Sequence, residues 1–253
     1  MSPSATRQTP QLRPLGDVSL LVEFGESVDV SVNKRAAAFE RQVCDAHIDG
    51  ILETATTIKA VIVRYNPLTL PLETLTRKLR QLLSSTPALD QSDQTVSSPN
   101  TRTWDIPVCY DPACAPDLAE MACALNLTVD DVVRQHCATQ QQVFMIGFAP
   151  GFLYSGLLPE NLHLPRRNTI SPAIPPGAVI CAVGQTCIAA TEMPTGWYEI
   201  GRSPLRNFAP DLEPPVTIVA GDRLQFSSIT HEELQSLDAA RTEGRWRIQQ
   251  VTP

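Results

Sequence analysis

The chain has 253 residues, of which 43% are hydrophobic and 19% are charged, and its formal net charge at pH 7 is −7. This composition excludes a disordered chain, and the length allows either one domain or two. The acidic balance argues against nucleic acid or an anionic membrane as the main partner, and the apolar runs are too short to cross a bilayer.

Neither the N-terminus nor the cysteines carry a recognisable signal. Residues 1–13 are polar and lack the apolar core of a secretory signal, so we predict a disordered lead-in. The seven cysteines are scattered without a C-x-x-C pair, and Cys109 and Cys114 are too widely spaced for a zinc knuckle. We therefore expect reduced, mostly buried thiols, no metal site and a cytoplasmic location.

Residues 14–110 follow the order of a ferredoxin-like unit, β-α-β-β-α-β. Apolar residues alternate in the strands and recur at spacings of three and four in the helices. The predicted elements span residues 18–24, 32–43, 50–57, 58–65, 72–82 and 103–109. Residues 84–101 are rich in Ser, Thr, Gln, Asp and Pro, which predicts a flexible surface loop before the closing strand.

Residues 111–140 are predicted to be a helical connector, with helices over 116–125 and 128–138. Thr128, followed three residues later by Asp131, resembles a capping box at the start of the second helix. A terminal helix is expected after Thr230.

From residue 141 to 253 short apolar segments are divided by Pro- and Gly-rich turns, which is typical of a β-barrel or sandwich. Its predicted strands are 143–146, 178–183, 188–190, 197–200, 216–219 and 223–226. The whole chain is thus predicted to be α+β with two structural domains.

Residues 144–202 carry most of the functional signal. Phe148 and Phe152 flank the dipeptide Pro150-Gly151, and proline and glycine together specify a shaped turn. The polar and aromatic residues that follow suit a groove for a small anionic ligand: Arg166, Arg167, Gln185, Thr186, Trp197 and Arg202. On spacing alone, ordinary turns in a β-rich domain are the better interpretation.

Seven motifs occur in one order between Gly147 and Asp222, within a similarity that runs from about Leu15 to about Phe226. They are Gly147-Phe148-Ala149-Pro150-Gly151-Phe152, Leu164-Pro165-Arg166, Ile174-Pro175-Pro176-Gly177, Gln185-Thr186, Gly196-Trp197, Ile200-Gly201-Arg202-Ser203-Pro204 and Ala220-Gly221-Asp222. This series resembles the allophanate hydrolase subunit 1 family, which includes the B subunit of 5-oxoprolinase and a bacterial sporulation-kinase inhibitor. The resemblance implies a cyclophilin-like barrel over residues 141–253.

The resemblance also implies a function. It indicates one subunit of an ATP-dependent 5-oxoprolinase that opens 5-oxo-L-proline to L-glutamate. Its partners would be a barrel protein like the C subunit of that enzyme, together with a protein like its A subunit. The assembled complex would use ATP, and no cofactor is expected on this chain, which has no G-x-x-x-x-G-K-[ST] loop. The alternatives are a regulatory protein that inhibits a sensor histidine kinase, a related allophanate or urea-metabolism amidohydrolase subunit, and a peptidyl-prolyl isomerase suggested only by barrel architecture.

The same resemblance implies site residues. Arg166, whose planar guanidinium suits a carboxylate or acyl phosphate, and His136, a candidate for proton transfer, are the predicted catalytic residues. The predicted substrate-binding residues are Phe148, Pro150, Gly151, Gln185, Thr186, Trp197 and Arg202. The corresponding alternatives are surface charges for the arginines, a core position for the tryptophan, a polar strand end for Gln185-Thr186 and a helix-capping role for the histidine.

Five positions depart from the family pattern. Ser171 stands where a second arginine is usual, Val183, Cys187 and Thr195 replace glycines, and Ala189 replaces a tyrosine. Loss of glycine where the backbone must approach a ligand would narrow a groove, so these positions leave the substrate open.

Overall fold

The computed structural model describes residues 9–85 and 101–251, which fall into two compact units divided between these ranges. In neither range is there a helix with the length and apolar character that a membrane span requires. Most of the predicted flexible loop, residues 86–100, lies outside the described residues. Its first two residues, Ser84 and Ser85, are the end of a helix.

The first unit is a four-stranded antiparallel sheet with two helices. Its elements in chain order are β1 (Gln11–Pro14), β2 (Ser19–Glu23), α1 (Val30–Asp45), β3 (Ile51–Thr56), β4 (Ala60–Tyr65) and α2 (Leu72–Ser85). The strand order is β1-β2-β4-β3. Both helices place their apolar faces in one core, where Phe39 and Leu75 join Val22 and Val63 of the sheet.

Two predictions for this region are wrong. Residues 11–13 of the predicted lead-in lie in β1, which pairs with β2 from Gln11↔Glu23 to Pro14↔Leu20, while residues 1–8 lie outside the described residues. Residues 103–109 do not close this sheet, because β1 occupies the edge beside β2. The unit therefore has the β-α-β-β-α part of the ferredoxin-like order without the final strand.

The second unit is a closed β-barrel. Its elements are β5 (Thr103–Cys109), α3 (Leu118–Ala124), α4 (Val129–Ala138), β6 (Gln141–Ile146), β7 (Leu153–Gly156), β8 (Ser171–Ile174), β9 (Ala178–Ala182), β10 (Gln185–Ile188), β11 (Met193–Thr195), β12 (Tyr198–Arg202), β13 (Arg223–Ile229), α5 (His231–Thr242) and β14 (Gln249–Gln250). Among the described residues, β12-β9-β10-β7-β6-β13-β5 follow one another, and Arg202↔Cys109 pairs β12 back with β5. A barrel is thus confirmed, but it includes β5 and therefore begins before residue 141, where the sequence predicted its start.

All seven barrel strands send apolar side chains into one interior core, among them Ile106, Val143, Leu153, Val179, Ile188, Ile200 and Phe226. The predicted connector helices form as α3 and α4, and Thr128 and Asp131 complete the capping box. Their buried residues Met121 and Val132 belong to this same core, so residues 111–140 are part of the barrel unit and not a linker before it.

Of two further local predictions, one is wrong and one is confirmed. Residues 216–219 form no strand and contribute only the isolated bridge Phe208↔Val216. Thr230 does cap α5, and its hydroxyl accepts the backbone N–H of Glu233.

Candidate functional site

Strand β10 divides the predicted site residues between the two faces of the barrel wall, because neighbouring side chains of a strand point in opposite directions. Thr186 is fully buried, and its Oγ1 lies 3.1 Å from Nε2 of His136 in the interior. Cys187, the next residue, instead joins an apolar cluster with Phe152 and Trp197.

His136 on α4 is a core residue that is 1% exposed. Its Nδ1 lies 2.7 Å from Tyr110 Oη and its Nε2 faces Thr186, so both ring nitrogens have hydrogen-bond partners. The ring of Phe226 packs 4.4 Å away, centroid to centroid. Burial lowers the pKa of His136 from 6.5 to about 3, so the ring is neutral at physiological pH. Proton exchange with a substrate would therefore require this core to open.

The turn between β6 and β7 has a packing requirement of its own. Gly151 has φ +78°, and a Cβ at this position would lie 2.7 Å from Phe208 Cβ and 2.8 Å from its backbone nitrogen. Contact with Phe208 therefore accounts for the glycine without any ligand. Pro150 precedes it as an exposed residue.

A row of aromatic side chains lies on the outer face of the wall. Phe148 is 74% exposed and its ring centroid lies 5.6 Å from that of Phe152, which in turn lies 4.9 Å from Tyr154. The Arg166 guanidinium carbon is 5.6 Å from the centroid of the Trp197 ring. We name these five residues, Phe148, Phe152, Tyr154, Arg166 and Trp197, the outer aromatic cluster.

Charge and exposure distinguish Arg166 within this cluster. It is exposed, and among the residues that the structure describes it forms no ion pair. Burial raises the pKa of Tyr154, whereas the positive charge of Arg166 opposes that rise. A cation with its donors open to solvent above an aromatic ring can bind a planar anion.

Gln185 and Arg202 have contacts of their own. Gln185 is buried at the start of β10, where its backbone pairs with Gly156 and Ala182. The Nη2 atom of Arg202 lies 3.6 Å from Asp238 Oδ2, so this arginine joins β12 to α5. The nine predicted residues therefore do not converge on one groove, and Arg166, Trp197 and Phe148 are the ones that the outer face brings together.

Residues 10–218 match the family described as carboxyltransferase domain, subdomain C and D. The chain belongs to this family. It is 30% identical over 233 residues to the B subunit of 5-oxoprolinase from Bacillus subtilis (strain 168), a match that covers 88% of this chain and 94% of that protein. The protein of the same name from Escherichia coli O157:H7 is 30% identical over 213 residues, with 84% and 93% covered. The resemblance inferred from the ordered motifs is thus confirmed.

Two solved structures extend the comparison to the fold. TTHA0988 is 29% identical with a TM-score of 0.70, and the match covers 87% of this chain and 40% of that one. The urea carboxylase of Kluyveromyces lactis has a TM-score of 0.77 at 18% identity, which shows the fold alone, with 96% and 24% covered. The chain therefore spans less than half the length of either structure.

Positions that depart from the family pattern are filled by local contacts. Ser171 Oγ accepts a hydrogen bond from Arg167 at 3.2 Å, and Thr195 Oγ1 accepts the Trp197 N–H at 3.1 Å. Val183 lies in the hairpin between β9 and β10 with φ +46°, a conformation that suits glycine better than a β-branched residue. Thr195 thus fixes the backbone of the turn that leads to Trp197, on which Arg166 packs.

Sequence reasoning missed a group of charges around Arg167. Its Nη1 lies 2.8 Å from Asp117 Oδ1 and its Nη2 lies 2.9 Å from Glu120 Oε2. Asp117 also accepts the backbone N–H of Glu199 at 2.9 Å. Burial and, secondarily, repulsion from Asp117 raise the pKa of Glu199 from 4.5 to about 7, and Arg202 opposes the rise. Glu199 and Asp117 are 82 residues apart, so no local pattern could have revealed the group.

A surface depression of about 410 Å³ lies elsewhere, between α4 and the ends of β5 and β13. Its polar lining includes Asp111, Asp130 and Arg134, and it contains none of the predicted site residues. The residues with metal-binding chemistry, Cys109, Cys114 and His231, meet beside the end of β5.

Proposed function

We propose that this chain is the B-type subunit of an ATP-dependent 5-oxoprolinase, which opens 5-oxo-L-proline to L-glutamate together with partner proteins. The observation that carries the proposal is the extent of one match. Identity of 30% runs over 94% of the B. subtilis protein that bears the name of a 5-oxoprolinase B subunit. A match of this length relates the whole protein and not a shared module.

The chemistry of the substrate explains why ATP is needed. In a lactam the nitrogen lone pair is delocalised onto the carbonyl, so the carbon is a poor electrophile. Transfer of the γ-phosphoryl group of ATP to the carbonyl oxygen turns this carbon into a good electrophile. Attack of one water at this carbon breaks the carbon–nitrogen bond and leaves a free amine and an acyl phosphate. A second water then hydrolyses the acyl phosphate to the new carboxylate of glutamate and phosphate.

The outer aromatic cluster suits two parts of this substrate, its carboxylate and its ring. 5-Oxoproline carries a carboxylate beside a flat five-membered ring. The exposed guanidinium of Arg166 offers two parallel donors to a carboxylate or to the oxygens of a phosphorylated intermediate. The exposed ring of Phe148 offers an aromatic surface to the ring of the substrate, while the buried Trp197 supports Arg166 from beneath. The role that we propose for this chain is therefore to hold the substrate, with Arg166 as the anion-binding group.

ATP and the remaining chemistry are proposed to lie on the other members of the complex, a C-like barrel protein and an A-like protein in the cytoplasm. The fold supports a partnership, since in TTHA0988 and in K. lactis urea carboxylase it makes up 40% and 24% of a longer chain.

Reconstitution tests this proposal. The chain would be expressed alone, with each of its two partner proteins, and with both, and glutamate release from 5-oxoproline would be measured with and without ATP. We expect ATP-dependent release only from the full assembly and none from this chain alone. Turnover by the isolated chain, or an assembly that consumes allophanate or urea but not 5-oxoproline, would contradict it. Capture of a histidine kinase in place of these partners would favour the regulatory alternative.

A further inference from the structure

Three side chains with affinity for soft metal ions meet at the junction of β5 and α5. Cys109 is the last residue of β5, Cys114 lies in the turn that follows, and His231 is the first residue of α5. Their potential ligand atoms all lie within 4.8 Å of one another, and Cys114 Sγ is 3.2 Å from His231 Nδ1. We propose that these three residues bind one zinc ion, or a divalent ion of similar preference, which anchors α5 to the barrel.

The spacing of the ligand atoms suits tetrahedral zinc. With Zn–S bonds of about 2.3 Å and Zn–N bonds of about 2.0 Å, the corners of such a site lie roughly 3.5–4 Å apart. The three residues are close to that geometry before any ion enters. Two thiolates and one neutral imidazole balance the charge of Zn²⁺, which favours the ion in a place where both cysteines are buried. Water or the nearby carboxylate of Asp111 completes the fourth position.

The surroundings of the three residues orient them for this purpose. The side-chain carboxylate of Asp111 accepts the backbone N–H of His231 at 3.0 Å. The backbone carbonyl of Asp111 accepts the backbone N–H of Cys114 at 2.7 Å. Asp111 also directs its own N–H at the sulfur of Cys109. One residue thus fixes all three ligand-bearing segments.

Gln235 provides the outer contact that metal-bound histidines usually have. The amide nitrogen of Gln235 lies 2.8 Å from His231 Nε2, the ring nitrogen that points away from Cys114, and the amide oxygen takes this place when the amide group is rotated by 180°. With the amide oxygen turned towards the ring, Nε2–H donates to it and Nδ1 keeps the lone pair that a metal needs.

Such an ion would have a structural role that is separate from the proposed function, namely to hold α5 in place. α5 contains 12 residues, of which Leu234 is the buried one. That leucine packs in a small cluster with Cys109 and Cys114. Apolar burial therefore holds this helix weakly, and a metal bridge from its first residue to the end of β5 would secure it.

Metal titration of the full chain tests the proposal without any enzymatic assay. The protein would be reduced, freed of metal with a chelator, and titrated with Zn²⁺ by calorimetry and with Co²⁺ by absorption spectroscopy. We expect one ion per chain, thiolate-to-cobalt charge-transfer absorption with the visible bands of tetrahedral cobalt, and a higher unfolding temperature with zinc. Gln235→Ala should weaken binding by ~10–100-fold. His231→Asn, Cys109→Ser and Cys114→Ser should each weaken it further.

Cys44→Ser and Cys123→Ser are the matched controls, since both thiols are exposed and lie outside the group; they should bind zinc as the unchanged chain does. His231 is only half-buried, so His231→Asn keeps the test valid if a cysteine variant fails to fold. Three results would overturn the proposal: no stoichiometric binding by the reduced chain, a cobalt spectrum without thiolate absorption, or full zinc affinity in the Cys109→Ser/Cys114→Ser double variant. A Cys109–Cys114 disulfide whose reduction restores no metal binding would equally overturn it.

Discussion

The interior of the barrel and the outer face of its wall both carry polar residues that the sequence marked as functional, yet the two regions treat them in opposite ways. In the interior, His136, Tyr110 and Thr186 satisfy one another and exclude solvent. On the outer face, Arg166 packs on Trp197 and keeps its donors exposed. A polar residue indicates a binding site only when its hydrogen-bonding capacity is left open.

The difference has an energetic consequence. A buried group that loses its partner must forgo hydrogen bonds with both protein and water, so interior substitutions act on stability. An exposed guanidinium exchanges its partners for water at little cost, so substitution there acts on binding. The predictions below test this contrast, from the largest expected effect on stability to the smallest.

The largest effect is expected for His136→Ala. This change removes a buried ring and leaves the hydroxyls of Tyr110 and Thr186 without that partner. We expect a loss of ~3–5 kcal/mol in the free energy of unfolding, measured by chemical denaturation.

Arg134→Ala on the same helix is the control. Arg134 is exposed and forms a surface ion pair with Asp131, so its loss should cost within about 0.5 kcal/mol. A folded His136→Ala chain of unchanged stability that inactivates the assembled complex would return His136 to the catalytic role.

Glu199 should make stability fall as pH rises. Its folded pKa, about 7, lies above the ordinary value of 4.5, so the folded state holds a proton that the unfolded state releases. The stabilising contribution is complete below pH 4.5 and is lost as pH rises through about 7.

The measurement is the free energy of unfolding of the unchanged chain and of Glu199→Gln from pH 4.5 to about 8, roughly one unit above the folded pKa. We expect the glutamine variant to gain stability relative to the unchanged chain as pH rises from 4.5 to about 7, and the difference to level off above that pH. Parallel curves would show that Glu199 is ionised in the folded protein beside Asp117 and Arg202.

Gly151→Ala should destabilise the turn between β6 and β7 by ~1–3 kcal/mol, because the new Cβ meets Phe208 at a backbone conformation with φ +78°. Gly147→Ala is the matched control in the same turn, since the nearest atom to its Cβ would be Met145 Cε at 3.6 Å, an ordinary contact. Thermal unfolding of both variants separates a packing requirement from a ligand requirement. Equal stability of the two variants would remove the packing explanation for Gly151.

The sequence predicted those elements whose periodicity is strong and local. The capping box of Thr128 and Asp131 and the apolar face of α1 through Phe39 are examples. Alternation also identified β5 as a strand, but it says nothing about which sheet a strand joins, and β5 pairs with β13 in the barrel. β1 was missed because it is a short, largely exposed edge strand that ends in proline.

The candidate site was predictable only in part, because motif order locates residues but does not show their contacts. Motif order located Arg166 and Trp197, which do lie together. It could not show that Thr186 faces inward, because the face of a residue depends on the register of the whole barrel. Nor could it show that Arg167, beside Arg166, is engaged by Asp117 and Glu120. These facts belong to contacts between residues distant in sequence.

The smallest effect on stability and the largest on binding are expected at Arg166. Arg166→Ala removes an exposed side chain, so the free energy of unfolding should change by less than about 0.5 kcal/mol. Loss of a charge-assisted contact to the substrate should nevertheless weaken binding by more than about tenfold in the assembled complex, measured as a rise in KM for 5-oxoproline. Arg166→Lys keeps the charge without the planar fork and should recover only part of the loss.

Arg167→Ala is the matched control for this last change, because the two arginines are neighbours in sequence with opposite surroundings. Arg167 is paired with the buried carboxylate of Asp117, so its removal leaves a charge without its counter-ion and should cost about 2–4 kcal/mol of stability. Arg166→Ala should therefore change KM more than stability, and Arg167→Ala should change stability more than KM. An Arg166→Ala complex that is folded and keeps the KM of the unchanged complex would remove the outer aromatic cluster from substrate binding. The contrast between the two faces of the barrel wall would then concern stability alone.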